Sequence, residues 1–271
     1  GKMRKAIMLS KLVGGQNMKS TKRLFKEVHQ AMGGEMKLMI AGGAAIDPAV
    51  IEDFNAMGVC MIQGYGMTEC APIIAVNKDR YSKAAAAGLP MPGTEIRIIE
   101  QDESGIGEII CKGDSVMIGY YNDPEETARV LIDGWLHTGD YGYIDKDGFL
   151  FVTGRKKNII VTKNGKNISP EELEYHLLKI PYIAEAVVWG KDSPKTGDII
   201  ICADIFPDHE YIAETHGVKL GEAELQRIIK EEIDRINEKS PLYKRIKRFV
   251  IRDEEFEKTT TRKIKRFAIK H

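Results

Sequence analysis

The sequence predicts an α/β protein: a parallel strand–helix–strand piece, then an antiparallel β-barrel subdomain, then a small α+β domain. Three observations carry this. Between residues 36 and 62 an apolar run, a capped helical stretch and a second apolar run follow one another, the pattern of a βαβ unit. From 88 to 151 short β-rich runs alternate with turn residues. Beyond Gly154 helical and strand patterns return in a different texture, after a polar basic link over 155–158. The expected domains are 1–87, the last part of a larger α/β core; 88–154, the barrel subdomain; and 155–271, a small mobile domain.

Each element has a local cause. Residues 21–32 set Leu24, Phe25, Val28 and Met32 on one helical face. Residues 36–40 read as a strand running into Gly42, Gly43, Ala44 and Ala45. Asp47 followed by Pro48 starts a helix, because Asp caps the free N–H groups and Pro tolerates the first helical position. Val50, Ile51, Phe54 and Met57 make that helix's apolar face, and Gly58 stops it. Residues 59–62 are the next strand. In the middle region 95–100, 107–111, 141–145 and 149–152 read as strands, with Lys146-Asp147-Gly148 a hairpin turn. Asp123, Pro124 and the two glutamates behind them cap a short helix. In the last region Ser169-Pro170-Glu171-Glu172 predicts a capping box, and 184–190 and 198–206 predict strands. Leu225, Ile228, Ile229, Ile233 and Ile236 line one face of a long amphipathic helix.

Composition narrows the function classes. The 40 basic and 40 acidic side chains cancel, so no global field draws the chain to nucleic acid or a membrane. One basic stretch, 240–271, has 11 Lys and Arg against 4 Asp and Glu; it carries no nucleic-acid motif and reads as a solvated face. The four cysteines are scattered without a Cys-x-x-Cys pair, and Cys60 and Cys202 read as buried small hydrophobes, which points to a reducing, cytoplasmic setting. No apolar stretch reaches the length of a membrane span and no signal-peptide pattern is present. Peripheral membrane contact and homo-oligomerisation stay open. The first residue is Gly1, so the chain is expected either to start inside a longer protein or to carry a tag remnant.

Four segments could carry chemistry. The strand over 59–62 runs into Gln63-Gly64-Tyr65-Gly66-Met67-Thr68-Glu69. A close-approaching glycine backbone opposite an aromatic ring supplies the two flat walls an adenine needs. Gly43 and Ala44, at the neighbouring strand's end, stand opposite Tyr65 in this reading, while Thr68 and Glu69 can hold a phosphate oxygen and Mg²⁺. Taken singly, each segment reads as well as a tight turn and a core tyrosine. In Gly134-Trp135-Leu136-His137-Thr138-Gly139-Asp140, the carboxylate can accept two ribose hydroxyls or cap a strand start. In Thr153-Gly154-Arg155-Lys156-Lys157-Asn158, Arg155 can reach a ribose or phosphate. Lys157 alone reads as a solvated lysine, and 163–167 as a basic, Gly-centred turn. The fourth segment is Thr259-Thr260-Thr261-Arg262-Lys263-Ile264.

Those segments, in that order, resemble the adenylate-forming superfamily of acyl-CoA synthetases, luciferases and peptide-synthetase adenylation domains, with fatty-acyl-CoA ligases nearest in character. The resemblance implies an AMP-forming ligase: a carboxylic acid, of fatty-acid type, attacks the α-phosphate of ATP to give acyl-AMP and pyrophosphate, and CoA then takes the acyl group. It implies ATP, AMP, Mg²⁺ and CoA as bound species. It places the nucleotide on Gly43, Ala44, Gly64, Tyr65, Gly66, Asp140 and Arg155, and the phosphate and metal on Thr68 and Glu69. It makes Lys157 a domain hinge, puts Gly165 and Lys166 along the pantetheine path, turns part of the basic stretch toward CoA phosphates, and gives Lys263 the adenylation step. The chain departs from the family at Arg262, where Gly is usual, and at Phe256-Glu257-Lys258-Thr259, where Leu-Pro-Lys-Thr is commoner. Nothing in 1–62 resembles the family's Ser/Thr- and Gly-rich phosphate loop. The expectation is therefore the back half of a family member, inactive by itself. A ligase loading a carrier protein, an amino-acid adenylation domain and a non-catalytic nucleotide-binding relative stay open as alternatives.

Overall fold

The computed structural model describes residues 2–12, 18–44, 46–193, 197–217, 220–260 and 262–269. It divides into two compact units, Gly1–Val152 and Thr153–His271. Among the described residues no helix is long and apolar enough to cross a membrane.

In the first unit three helices, α1 (Lys2–Leu12), α2 (Met18–Leu24) and α3 (Lys26–Ala31), precede strand β1 (Leu38–Ala41). The single helix expected over 21–32 is thus two. Phe25, between them, has φ −107° and ψ 33°, outside helical values, so the 3.6-residue register slips. Phe25 is buried, whereas Leu24, expected on the same face, is 58% exposed. Helix α4 (Pro48–Ala56) starts as its sequence dictates, with Asp47 Oδ1 accepting the Ala49 N–H at 2.9 Å. It buries Ile51 and leaves Val50 outward. Strand β2 (Cys60–Gly66) lies parallel to β1, with Ile40 opposite Ile62, which completes the βαβ unit. Strands β3 (Ile73–Val76) and β4 (Leu89–Pro90) extend this sheet antiparallel, in the order β1-β2-β3-β4. Cys60 is half-buried rather than buried, because it pairs across the sheet with exposed Leu38.

The second sheet of this unit holds β5 (Thr94–Ile99), β6 (Gly107–Gly113), β7 (Leu131–Ile132), β8 (Trp135–Ile144) and β9 (Leu150–Arg155) in the order β5-β6-β8-β7, with β9 also on β8. Helix α5 (Pro124–Val130), capped by Asp123 on the Glu126 N–H at 3.0 Å, precedes β7. The turn at Gly148 closes the β8–β9 hairpin: Asp145 Oδ1 accepts the Asp147 and Phe149 N–H groups, and Lys83 pairs with both Asp145 and Asp147. Strand β8 begins five residues before Asp140. That residue is therefore mid-strand, not at the strand start expected from sequence.

The second unit opens with a 3₁₀ turn at Lys156–Asn158 and a short antiparallel hairpin, β10 (Ile160–Val161) with β11 (Asn167–Ile168). Helix α6 (Pro170–Leu177) follows. Its expected capping box does not form: the Ser169 hydroxyl donates to the Thr153 carbonyl at 2.6 Å and meets Glu171 Oε2 at 2.9 Å, so it is not available to the helix N–H groups. Strands β12 (Ile183–Asp192) and β13 (Ile199–Pro207) pair antiparallel. After helices α7 (His209–His216) and α8 (Glu222–Glu238), strand β14 (Ile246–Ile251) returns parallel to β13. Leu225, Ile229 and Ile233, one turn apart on α8, are buried in one core with Leu173, Leu177, Ile201 and Ile205.

Candidate functional site

The end of β2 is shaped by what glycine permits. A Cβ on Gly66 would sit 1.8 Å from the Pro72 carbonyl oxygen, so only glycine lets the chain fold back this tightly. The Met67 N–H donates to that same carbonyl at 2.8 Å. The reversal holds a 3₁₀ turn, Thr68–Cys70, and leaves through Ala71 at φ 49°. The end of β1 lies alongside, since a Cβ on Gly42 would come within 3.6 Å of the Gly64 carbonyl. Gly43, at φ 80°, and Ala44 follow it, both exposed. Ala45 lies outside the described residues.

Two hydrogen bonds tie this strand end to distant sequence. Tyr65 Oη donates to Asp140 Oδ2 at 2.6 Å. Alternation along β8 turns Leu136, Thr138 and Asp140 to one buried face, and Asp140 keeps only 6% of its surface. Tyr65 is half-buried and packs against two small core clusters, one holding Cys70, Ile74 and Leu136 and the other Ala75, Ile109 and Leu150. The second bond runs from Tyr120 Oη to Glu69 Oε1 at 2.9 Å. Burial, and then this carboxylate, push the Tyr120 phenol above its ordinary value. The Glu69 carbonyl also accepts the Met117 N–H at 2.7 Å, so the segment ahead of α5 clasps the turn twice.

Sequence reasoning missed Tyr120 and Glu108. The signal for Tyr120 was an aromatic pair, Tyr120-Tyr121, just ahead of the Asp123-Pro124 cap. Glu108, 3% exposed, accepts the Gly139 N–H at 3.3 Å, while Thr138 Oγ1 donates to the Ile109 carbonyl at 2.7 Å and accepts the Asp140 N–H at 3.1 Å. These contacts fix the backbone on which Asp140 stands. A buried glutamate in a β-rich run was the available signal. A cleft of about 470 Å³ in this unit lies elsewhere, between Lys11, Glu52, Gln63 and Lys83, and holds none of the expected site residues.

The remaining expected residues belong to the second unit. Arg155 ends β9 and is exposed, and Lys157 is exposed in the 3₁₀ turn that follows. Gly165, at φ 72°, makes the β10–β11 turn, in which Thr162 receives and returns hydrogen bonds with Lys166. This turn borders a cleft of about 330 Å³ lined also by Tyr243, Arg245 and Lys247. Lys263 is exposed at the closing end of a turn in which the Thr259 N–H donates to the Lys263 carbonyl at 2.8 Å and the Lys263 N–H donates to Thr259 Oγ1 at 3.1 Å. Thr261 lies outside the described residues. Arg262 has φ 61°, the left-handed conformation that glycine adopts most easily. The turn is anchored on both sides: Lys258 pairs with Glu185 and Glu255, which raise its ammonium above the ordinary value, and Arg266 pairs with Glu174. Burial outweighs Arg266 at Glu174, so that carboxyl is raised as well.

Residues 7–121 match the family model described as AMP-binding enzyme, and residues 157–271 match that of the AMP-binding enzyme C-terminal domain. The long-chain-fatty-acid–CoA ligase FadD15 of Mycobacterium bovis is 36% identical over 177 residues, covering 65% of this chain and 29% of that protein. The long-chain-fatty-acid–CoA ligase of Salmonella typhimurium is 35% identical over 182 residues, covering 65% and 32%. The o-succinylbenzoate CoA synthetase (MenE) of Bacillus subtilis, solved with its acyl-adenylate intermediate, superposes with a TM-score of 0.72 at 29% identity, covering 89% of this chain and 49% of that one. The chain thus spans less than half the length of each of these relatives. On both family models and on relatives of one kind, it belongs to the adenylate-forming AMP-binding enzymes, the superfamily of the acyl-CoA synthetases.

Proposed function

We propose that this chain carries the adenylate-holding and CoA-handling parts of an AMP-forming acyl-CoA ligase acting on a carboxylic acid of the fatty-acid class. The observation that carries the reading is the Tyr65–Asp140 hydrogen bond, which joins two family segments 75 residues apart at the carboxyl end of a parallel strand, beside Glu69. Ligands of α/β sheets sit at such strand ends. In this reading Tyr65 acts twice: its ring walls the base, and its hydroxyl orients the carboxylate that meets the ribose. Gly43 and Ala44 form the opposite wall, and Thr68 meets a phosphate oxygen.

The residues fit a magnesium–nucleotide. Tyr120 occupies one Glu69 oxygen, and no described residue hydrogen-bonds the other. Mg²⁺ can be held by one carboxylate and the phosphates it arrives with. When bound, Mg²⁺ would offset charge on the phosphates. Lys263 supplies the cation for the attack of carboxylate on the α-phosphate, where two anions meet. Lys157 is the hinge about which the small domain turns between the two half-reactions. The Gly165 turn and the adjoining basic cleft then receive the pantetheine arm and phosphates of CoA. The fatty-acid class rests on the names of the two ligases above. An aromatic acid is the second reading, favoured by the likeness to o-succinylbenzoate CoA synthetase.

The test is carboxylate-dependent exchange of labelled pyrophosphate into ATP, followed by CoA-dependent release of AMP, on the full-length protein with fatty and aromatic acids in parallel. Lys263→Ala should lower the exchange roughly 10²–10³-fold, the scale for one charged transition-state contact, while thioester formation from supplied acyl-AMP persists. No exchange with any carboxylate removes the ligase reading. Exchange without CoA-dependent release turns it toward carrier loading.

A further inference from the structure

Cys70 and Cys111, far apart in sequence, meet in the first unit with their sulfurs 3.4 Å apart. We propose that they form a peroxide-oxidisable dithiol that closes to a disulfide and clamps the Thr68–Cys70 turn onto β6. The proposal does not depend on the ligase reading.

The geometry carries it. Cys70 is the last residue of the turn that bears Thr68 and Glu69. Cys111 is central in β6, paired with Ile96 on one side and Leu136 on the other, so it is fixed by strands on both edges. A disulfide needs its sulfurs about 2.05 Å apart, and the turn is the partner able to move. It is short, it leaves through Ala71 at φ 49°, and its neighbours Thr68, Ala71 and Pro72 are exposed, while Cys70 itself is 1% exposed. A local opening of this turn admits a small oxidant. Cys70 sits at the end of the short turn, whereas Cys111 is held by strands on both edges, so Cys70 is the attacking sulfur and Cys111 the resolving one.

The chemistry balances with hydrogen peroxide as the oxidant. The Cys70 thiolate attacks one peroxide oxygen, the O–O bond breaks, and water leaves with the thiol proton, giving a sulfenic acid. The Cys111 sulfur attacks the Cys70 sulfur, the S–O bond breaks, and a second water leaves with the Cys111 proton. Two thiols lose two electrons in all, and one peroxide is reduced to two waters. Cys60 and Cys202, the free cysteines outside this pair, serve as internal controls.

The experiment treats the native chain with hydrogen peroxide, quenches in acid, alkylates under denaturant and maps unreduced peptides. Expected are a Cys70–Cys111 linked peptide that dithiothreitol removes, alkylated Cys60 and Cys202, and slower amide exchange over 66–72 in the oxidised protein. In Cys111→Ser the link is replaced by a Cys70 sulfenic acid that dimedone traps. Exposed Met8 reports the dose through its sulfoxide. If Cys70 and Cys111 are both alkylated at a dose that oxidises Met8, or if Cys70 links instead to Cys60 or Cys202, the proposal is overturned. A Cys70–Cys111 link with unchanged exchange over 66–72 overturns the clamp.

Discussion

Tyr65→Phe deletes one hydroxyl and so tests the junction on which the candidate site is built. That hydroxyl donates to Asp140 at 2.6 Å, and Asp140 is 6% exposed. A hydrogen bond to a carboxylate nets about 1.5–3 kcal/mol, and burial puts this one in the upper half of that range. Asp140→Ala instead removes the acceptor from the half-buried phenol, at about 1–3 kcal/mol. In the double variant neither group is left alone. Its cost should therefore fall short of the sum of the single costs by about 1–2 kcal/mol, the coupling expected of residues in direct contact. Urea unfolding of the four proteins measures the cycle, and calorimetric titration with AMP on the same samples measures binding. Both single variants should weaken AMP, Asp140→Ala more, since it removes the acceptor itself. Additivity within about 0.5 kcal/mol would refute the bond as a coupling element. Full AMP affinity in Asp140→Ala would confine this carboxylate to a structural role.

Gly66→Ala should destabilise the first unit by more than about 3 kcal/mol, because its Cβ would overlap the Pro72 carbonyl; an unchanged urea midpoint would contradict the close approach. Arg262→Gly should stabilise the second unit by up to about 1 kcal/mol, by releasing left-handed backbone strain; a lower midpoint would show that the arginine side chain makes a contact worth more than the strain. Arg266→Ala should cost about 2–3 kcal/mol, less than a fully buried pair because Arg266 is 27% exposed, and it should leave Glu174 buried without its cation; a loss below about 0.5 kcal/mol would show the anchor to be dispensable. Lys83 holds the Asp145 carboxyl below its ordinary value, so this pair's contribution is present above the usual carboxylate range and is lost as pH falls through the lowered folded value. Lys83→Met should flatten the acid side of the stability–pH curve below about pH 4, and identical acid curves would exclude the linkage.

Local signals determined the elements whose causes are local. Asp47-Pro48 started a helix, Lys146-Asp147-Gly148 turned a hairpin, and the apolar spacing from Leu225 to Ile236 placed one face of α8 in a core. Each depends on neighbours within a turn or two, which a sequence displays directly. Motif order, too, was enough to place the chain in its family.

What depends on distant partners was decided only by the tertiary structure. No local rule places Phe25 inside and Leu24 outside, since the break between α2 and α3 sets their directions. Ser169 looked like a cap, but the Thr153 carbonyl and Glu171 compete for its hydroxyl. Asp140 looked like a strand-start residue and is a buried mid-strand carboxylate bonded to Tyr65. The cysteines looked scattered, yet two of them meet. In sequence, a hydrogen bond across 75 residues leaves no periodicity and no spacing; it exists because β2 and β8 are folded to within reach of each other.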